Sequence, residues 1–267
     1  MWYTLSLLGL VFASLVAAHG RITKVTTSRG LSYPGWDPEY AESSSSGPPL
    51  AAWSASNLGN IYVTPSLFAT PDIVCHYNAA PGILHVNITA GEQLTLQWNE
   101  WPTSHVGPVL TYLAACNGSC TSVNKNTLKW IKIDELGWLN STGWDELMLG
   151  GTWATDVLIY NKFQWIINIP ETLVEGHYVL RHEIIALHVA EAINGAQAYP
   201  QCVNIKVFKG KKKGTRRLYG GTPGASLYRD YDKGIFVDVH KKLSGYNIPG
   251  PRLWSGATPV KQPNQGR

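Results

Sequence analysis

Short segments in which apolar and polar residues alternate recur along this chain, and they constrain its fold more than any other feature. Every second residue of 84–89, beginning with Leu84, is aliphatic, and after Gly91 residues 94–98 repeat the same period. Such alternation places one residue type on each face of a strand, whereas helical side chains repeat about every 3.6 residues. The two segments therefore predict a hairpin with aliphatic side chains in a core and Asn87 facing outward.

A second pair of alternating segments, 165–169 and 178–180, is separated by a turn-rich stretch and predicts another hairpin. The stretches 34–49 and 210–224 are too rich in Gly, Pro and Ser for the interior of a sheet, so we expect long surface loops there. Several strands over roughly 250 residues are typical of one large β domain. We therefore predict an all-β fold, an immunoglobulin/fibronectin type III-like antiparallel β-sandwich with long surface loops.

The N-terminus resembles a removable secretion signal over residues 1–18. An apolar run from Leu5 to Val16 is followed by two alanines, which suit a cleavage point directly before His19. A membrane anchor is the alternative, but a spanning helix needs about 20 apolar residues and this run is shorter. We expect a secreted, extracellular protein without a membrane span, whose mature chain of residues 19–267 forms a single domain.

The charge of the chain gives little reason to expect a nucleic-acid partner. The formal net charge is +4, and one cluster of basic residues stands out, Lys209 to Lys213 with Arg216 and Arg217. Because this cluster lies in a Gly-containing stretch, we interpret it as a solvated loop. We expect a monomer that does not bind nucleic acid.

Four cysteines, an even number in an exported chain, predict two disulfides rather than a thiolate metal site. Cys116 and Cys120 frame a turn-forming Asn-Gly-Ser sequence and are expected to pair, which leaves Cys75 to pair with Cys202. Glycosylation is predicted at the three sequons, which begin at Asn87, Asn117 and Asn140.

Residues with chemical potential concentrate in three places. Cleavage would give His19 a free amino group beside its imidazole, which together form a metal chelate. His105 lies between two prolines in a predicted rigid loop, and Gln197 and Tyr199 share one face of an extended segment. Considered singly, His105 is better explained as a structural or surface histidine, and Tyr199 as a core residue.

Taken together, the motifs of this chain closely resemble those of fungal lytic polysaccharide monooxygenases of auxiliary activity family 9, formerly glycoside hydrolase family 61. The matching segments are His19-Gly20, PDIVCH at 71–76, WPTSHVGP at 101–108, LRHEIIALH at 180–188, GAQAYPQC at 195–202 and YNIPGP at 246–251. The resemblance covers essentially the whole mature chain. It implies one catalytic domain at 19–267, and no linker leads from it to a separate carbohydrate-binding module.

The resemblance implies one copper ion, Cu(II) or Cu(I), held by the amino group and ring of His19 and by the ring of His105, with Tyr199 as the axial oxygen. Nitrogen-rich tetragonal sites suit Cu(II), which also heads the affinity order of the divalent first-row metals. Zinc is the competitor, but its sites are usually tetrahedral.

The same resemblance assigns His188 and Gln197, together with Tyr199, to the catalytic surroundings of the copper, where they would hydrogen-bond the oxygen species. His182 is left out of this set, because a strand would place Arg181 and Glu183 on one face as a structural ion pair.

The implied reaction is oxidative cleavage of a β-1,4-glucan such as cellulose by hydroxylation at C1 and/or C4. The implied partners are the glucan, hydrogen peroxide or dioxygen, and an external electron donor that is either a small reductant or a redox enzyme. The resemblance therefore makes the chain a copper-dependent polysaccharide monooxygenase, an oxidoreductase.

A crystalline glucan requires a flat aromatic face. Tyr33, Trp36 and Tyr40 are the candidates in the first long loop, and His240 stands on the other side where relatives often carry a tyrosine. Since an imidazole stacks less surface than a phenol, the sequence predicts weaker binding to flat cellulose, or a shift toward another glucan or a hemicellulose.

Two alternatives belong to other functional classes. One is a secreted copper-binding protein of the same fold without polysaccharide cleavage, and the other is a hydrolase with two separated carboxyl groups. No acidic cluster demands the hydrolase role among Glu100, Asp134, Glu135, Asp145 and Glu146.

Overall fold

A computed structural model describes residues 20–41, 47–57, 61–142, 149–212 and 216–266. The signal segment 1–18, His19, Asp145 and Glu146 therefore lie outside the described residues. No helix in the described ranges is long and apolar enough to cross a membrane.

The described residues form strands from one end of the chain to the other. The strands are β1 (Ile22–Thr27), β2 (Ser32–Pro34), β3 (Val86–Thr89), β4 (Gln93–Trp98), β5 (Val109–Ala115), β6 (Lys129–Leu136), β7 (Trp138–Asn140), β8 (Thr152–Trp153), β9 (Gln164–Asn168), β10 (Gly176–Ala186), β11 (Gln197–Ala198), β12 (Gln201–Phe208) and β13 (Thr222–Pro223). The α-helices are α1 (Asp72–Cys75) and α2 (Ala154–Tyr160), and single 3-10 turns span Pro38–Ala41, Pro65–Leu67, Cys120–Ser122, Lys125–Thr127 and Gly224–Ser226.

Two sheets pack face to face, which confirms the predicted β-sandwich. The smaller sheet has the order β2-β1-β4-β9, and the larger has the order β13-β6-β5-β10-β12-β3, with β11 paired to β10. Pairing is antiparallel except between β12 and β3, which run parallel. The strands β7 and β8 form a separate two-stranded sheet.

Both predicted hairpins are wrong, although the strands themselves are present. β3 belongs to the larger sheet, whereas β4 pairs with β1 and β9 in the smaller one. In the same way β9 and β10 lie in opposite sheets. Alternation identifies the buried face of a strand, but in a sandwich both sheets bury a face against the same core, so it does not identify the sheet.

The core expectation for the first segment is correct for two of its three aliphatic residues. Val86 and Ile88 are buried on β3, and Asn87 is exposed as predicted. Leu84 is 42% exposed because it precedes β3, and its amide donates to Leu50 O instead of joining the strand ladder.

The larger sheet is buried on both faces. Its inner face packs on the smaller sheet, and long loops cover its outer face with a second apolar cluster. This double burial explains why β5 has a nearly continuous apolar sequence, since alternation requires one solvated face. The covering loops also carry most of the candidate site residues to one end of the sandwich.

Both expected disulfides are present. Cys75 at the end of α1 is bonded to Cys202 on β12, across 127 residues, and Cys116–Cys120 closes a loop of sequence separation 4. The Cys75–Cys202 disulfide ties the loops on the outer face to the larger sheet, close to the segment that carries Tyr199.

A buried ion pair holds the same region, as the sequence predicted for one face of β10. Arg181 Nη2 donates to Glu183 Oε2 at 2.7 Å, and both side chains are fully buried. Arg181 Nε also donates to Val74 O on α1 at 2.7 Å, and Tyr228 donates its hydroxyl proton to Glu183. These bonds satisfy the charges that burial would otherwise leave uncompensated.

Candidate functional site

Four parts of the chain converge at one end of the sandwich. They are the segment that leads into β1, the loop between β4 and β5, the segment that follows β10, and the segment from β11 to β12. β10 therefore ends where β5, β11 and β12 begin, and the loops at this end carry His105, His188, Gln197 and Tyr199.

The chain enters β1 through a tightly held arm at Gly20. A Cβ on Gly20 would lie 2.0 Å from Glu100 O, so only glycine permits this approach. The amide of Arg21 donates to Asn99 Oδ1 and the amide of Ile22 donates to Gln201 Oε1, both at 2.7 Å. The arm is thus anchored to the β4–β5 loop on one side and to the start of β12 on the other.

The loop that carries His105 is fixed at its base and at its tip. Trp101 Nε1 donates to His105 O at 2.8 Å, and its indole packs edge-on against the ring of His105. A Cβ on Gly107 would lie 1.9 Å from Ile185 O, which forces the loop close to the end of β10. His105 therefore lies in a loop, as expected, and these contacts restrain that loop.

The ring of His105 has a hydrogen-bonding contact at its Nδ1. Ser104 Oγ lies 3.0 Å from this nitrogen. When Nδ1 donates its proton to Ser104 Oγ, Nε2 keeps the lone pair that a metal needs, which is how neighbouring hydrogen bonds set the ligating nitrogen of a histidine.

Tyr199 lies in the interior beside this loop. Its ring is 5.1 Å from that of Trp101 in an edge arrangement, and its hydroxyl donates to Gln197 Oε1 at 2.8 Å. The side chains of Gln197 and Tyr199 meet as their spacing predicts, and both residues are buried. Burial raises the pKa of Tyr199, so the phenol keeps its proton and is a weak, neutral oxygen donor.

His188 faces His105 directly. The centroids of the two imidazole rings are 3.8 Å apart and their planes differ by 32°. The structure therefore brings together His105, His188, Gln197 and Tyr199, which the sequence assigned to one site.

His240 reaches this group through the backbone. Its Nε2 lies 2.9 Å from His188 O, so the imidazole contacts the backbone of a site residue. The His240 side chain is 46% exposed. The sequence suggested a saccharide-stacking role, and this hydrogen bond gives the ring an internal partner as well.

The three candidate aromatic residues differ in their surroundings, and Tyr33 lies on β2 rather than in the loop where the sequence placed it. Trp36 and Tyr40 pack edge to face with ring centroids 5.9 Å apart, and Trp36 Nε1 donates to Ala55 O. Tyr33 accepts a hydrogen bond from the amide of Asn87 on β3. All three also pack on the apolar core, so each has a structural role, and their contact with substrate stays a prediction.

Burial explains two strongly perturbed ionisable groups between the sheets. It raises the pKa of Asp134 to about 7, and Asp134 Oδ2 accepts a hydrogen bond from Trp165 Nε1 at 3.0 Å. It also lowers the pKa of His182 to about 3, where the ring contacts Thr111 Oγ1. Neither group faces solvent, which supports the exclusion of His182 and gives Asp134 no access to a saccharide.

The donor set fits copper better than zinc. The described part of the site offers an imidazole nitrogen of His105 and the neutral phenol of Tyr199, with Gly20 anchored at the same end of the sandwich. Cu(II) favours imidazole nitrogen with a weak axial oxygen. The thiolates that complete many zinc sites are not supplied here, since the four cysteines form two disulfides.

The β-sandwich carries imidazole and phenol groups at one end, and imidazole is a donor that suits copper. Residues 19–246 match Auxiliary Activity family 9 (formerly GH61). The chain is 44% identical to AA9 family lytic polysaccharide monooxygenase H of Thermothelomyces thermophilus, over 94% of this chain and 70% of that protein.

Solved structures agree with this match. The extended catalytic domain of H. jecorina LPMO9A is 40% identical, with a TM-score of 0.82 over 90% of this chain and 92% of that one. A cellulose-active polysaccharide monooxygenase from M. thermophila is 27% identical, with a TM-score of 0.73 over 90% of this chain and 100% of that one.

The chain belongs to Auxiliary Activity family 9. It is therefore a copper-dependent oxidoreductase that cleaves polysaccharides oxidatively, and this class of enzyme requires a polysaccharide, a source of electrons and an oxygen-derived co-substrate.

Sequence reasoning missed the residues that anchor the site. Asn99 and Gln201 hold the arm through side-chain oxygens, and Ser104 contacts the ring of His105. Gln201 and Ser104 lie inside the recognised motifs, which is a usable signal. No sequence signal marks Asn99. Its role arises only in the folded protein, where it meets Arg21, 78 residues away in the sequence.

Proposed function

We propose that this enzyme cleaves a β-1,4-glucan such as cellulose by hydroxylation at C1 and/or C4. Copper would be held by the amino group and ring of a processed His19, by the ring of His105 and by the phenol oxygen of Tyr199. The observation that carries the proposal is the anchored arm, because Gly20 is bonded to residue 19 and sits at the same end of the sandwich as His105 and Tyr199.

The protein's own part in the reaction is to position groups and limit their motion. Ser104 directs the ring of His105, and the Trp101 indole fixes its backbone. Gln197 Oε1 accepts a hydrogen bond from the Tyr199 hydroxyl and so keeps that phenol oriented. Copper, when bound, supplies the one-electron reduction and the activation of dioxygen or hydrogen peroxide.

His188 and Gln197 are the proposed polar groups around the oxygen-derived co-substrate. The 3.8 Å separation between the rings of His188 and His105 places a hydrogen-bonding imidazole directly beside a proposed metal ligand. Removing a hydrogen-bonding group that lies beside a metal ligand typically lowers activity or metal affinity about 10- to 100-fold.

Secretion is part of the proposal, because an amino-terminal ligand exists only after cleavage before His19. Two disulfides and three exposed sequon asparagines, Asn87, Asn117 and Asn140, support an oxidising, extracellular destination with glycosylation. We further propose that residues 19–267 act as one catalytic domain, as a monomer, with an external electron donor.

The cellulose assignment is supported by the cellulose-active relative from M. thermophila. Tyr33, Trp36 and Tyr40 stay the proposed substrate contacts, whereas His240 donates a hydrogen bond to His188 O. Trp36 and Tyr40 are the stronger pair, because they are already packed together in one loop.

The test is incubation of processed protein with copper, a reductant and phosphoric-acid-swollen cellulose, followed by mass spectrometry. We expect aldonic acids for C1 attack, 4-keto sugars for C4 attack, or both. Parallel reactions with hydrogen peroxide under anaerobic conditions, and with dioxygen plus catalase, identify the co-substrate.

A His105→Ala variant is the matched control, since it removes one proposed ligand and should yield no oxidised ends. Only native oligosaccharides from copper-loaded protein would contradict the proposal. Such oligosaccharides at substantial yield would favour a hydrolase, and no products would favour a copper-binding protein without cleavage activity.

A further inference from the structure

The hydrogen bond from His240 to His188 joins two segments that are 52 residues apart in sequence. His240 Nε2 lies 2.9 Å from His188 O, and because a carbonyl only accepts, the imidazole donates here. His188 lies two residues after the end of β10 at Ala186, so its carbonyl belongs to the turn after the strand rather than to the β10–β12 ladder.

His240 is itself held in place from its own segment. Its amide donates to Asp238 Oδ1 at 3.0 Å, and the Asp238 carboxylate also pairs with Lys241 at 2.8 Å. Between these residues Val239 is fully buried in the outer apolar cluster. The imidazole therefore extends from a fixed backbone.

A second bond ties the same two segments together. The amide of Val237 donates to Ala190 O at 3.0 Å, and the turn closes on itself through the bond from the Ala190 amide to Leu187 O. Leu187 in turn donates to Val106 O, one residue beyond His105. The turn that carries His188 is thus clamped between the His105 loop and the His240 segment.

The direction of the His188 ring depends on this clamp. A side chain is placed by its own backbone, and the carbonyl of His188 lies on the peptide plane that a donor at residue 240 fixes. Loss of that donor removes one restraint on this plane, and with it one restraint on the 3.8 Å ring contact with His105. A shift of about 1 Å near reacting groups can cost roughly 100-fold in rate.

We propose that His240 is a positioning residue for His188 and that this is its main role, rather than stacking on a sugar ring. The inference rests on the proposed function, in which His188 serves the co-substrate. It revises the sequence-based expectation that His240 is a weakened substitute for a surface tyrosine.

Two substitutions separate positioning from stacking. His240→Gln keeps an N–H donor the same number of bonds from Cβ but has no ring, whereas His240→Phe keeps a ring but has no donor. Positioning predicts that the glutamine variant retains most of the turnover and that the phenylalanine variant loses roughly tenfold or more, with cellulose binding changed in neither. If His240 instead stacks on a sugar ring, the glutamine variant should lose more activity than the phenylalanine variant. That loss should come from weaker binding to cellulose.

The readout that does not require activity is the ¹⁵N and ¹H spectrum of the His188 ring in copper-free protein. We expect these resonances to move in His240→Phe and to stay near their wild-type positions in His240→Gln. Asp238→Ala removes the acceptor of the His240 amide. It should move the His188 resonances in the same direction as His240→Phe does. Thermal unfolding of all three variants confirms that each is folded.

Unchanged His188 resonances in a folded His240→Phe variant would overturn the proposal, and so would equal displacement in the Gln and Phe variants. A failure of the proposed function is distinguishable, because it would abolish oxidised products from wild-type protein while leaving the spectral comparison intact.

Discussion

Asp134 allows a sharp test of how burial, rather than catalysis, perturbs an acidic group in this enzyme. A carboxyl group whose pKa is raised to about 7 has the property expected of the general acid of a glycosidase. In the structure the cause is burial. Asp134 is 4% exposed, and its carboxylate accepts a hydrogen bond from Trp165 between the two sheets. We predict that Asp134→Asn changes the pH dependence of stability and leaves the formation of oxidised products intact.

The size of the effect follows from the pKa shift. The folded pKa is about 7 and the ordinary value is 3.8, a difference of roughly three units at about 1.4 kcal/mol each. Between these values the folded state binds more protons than the unfolded state, so stability falls as pH rises. The contribution of Asp134 is fully present below pH 3.8 and is lost through pH 7, by about 4 kcal/mol in total.

The assay is denaturant unfolding of copper-free protein, followed by tryptophan fluorescence near pH 4 and near pH 8. Asparagine still accepts the Trp165 bond but cannot ionise. Relative to wild type, the free energy of unfolding of the variant should therefore rise by about 4 kcal/mol from pH 4 to pH 8. A gain below about 1 kcal/mol would refute the reasoning about burial. Loss of cleavage in a folded variant would instead place Asp134 in the chemistry.

Three further predictions concern the framework of the site. Replacing both Cys75 and Cys202 with alanine should lower the free energy of unfolding by about 5 kcal/mol in the chain-entropy model, measured by denaturant titration, and a loss below about 1 kcal/mol would contradict that model. Gly107→Ala should cost about 1–3 kcal/mol by the same measurement, because its Cβ would collide with backbone, and an unchanged midpoint would show that the loop can move away. Trp101→Phe removes the donor to His105 O and should weaken copper affinity in calorimetry, whereas unchanged affinity would mean that the loop is fixed without it.

Local patterns in the sequence predicted the strands and one buried ion pair. The alternation around β3 identified which of its residues are buried, and the spacing of Arg181 and Glu183 predicted their contact on β10. Both inferences depend only on the two-residue period of a strand. Pairing partners depend on the three-dimensional arrangement, which is why β3 and β4 were wrongly assigned to one hairpin.

The candidate site was predictable only to the extent that its residues lie in recognisable motifs. His105, His188, Gln197 and Tyr199 do come together. The contact between His240 and His188 could not be predicted, because it joins a side chain to a backbone carbonyl in a turn, and no periodicity encodes that position.

The central claim is that a processed His19 completes a copper site with His105. Its most direct test is electron paramagnetic resonance of the Cu(II) protein, comparing a chain that begins at His19 with one that retains an uncleaved, histidine-free tag. The claim predicts a tetragonal signal with nitrogen couplings from one amine and two imidazoles in the processed protein, and loss of the amine coupling in the tagged one. Identical signals from the two proteins would contradict the claim.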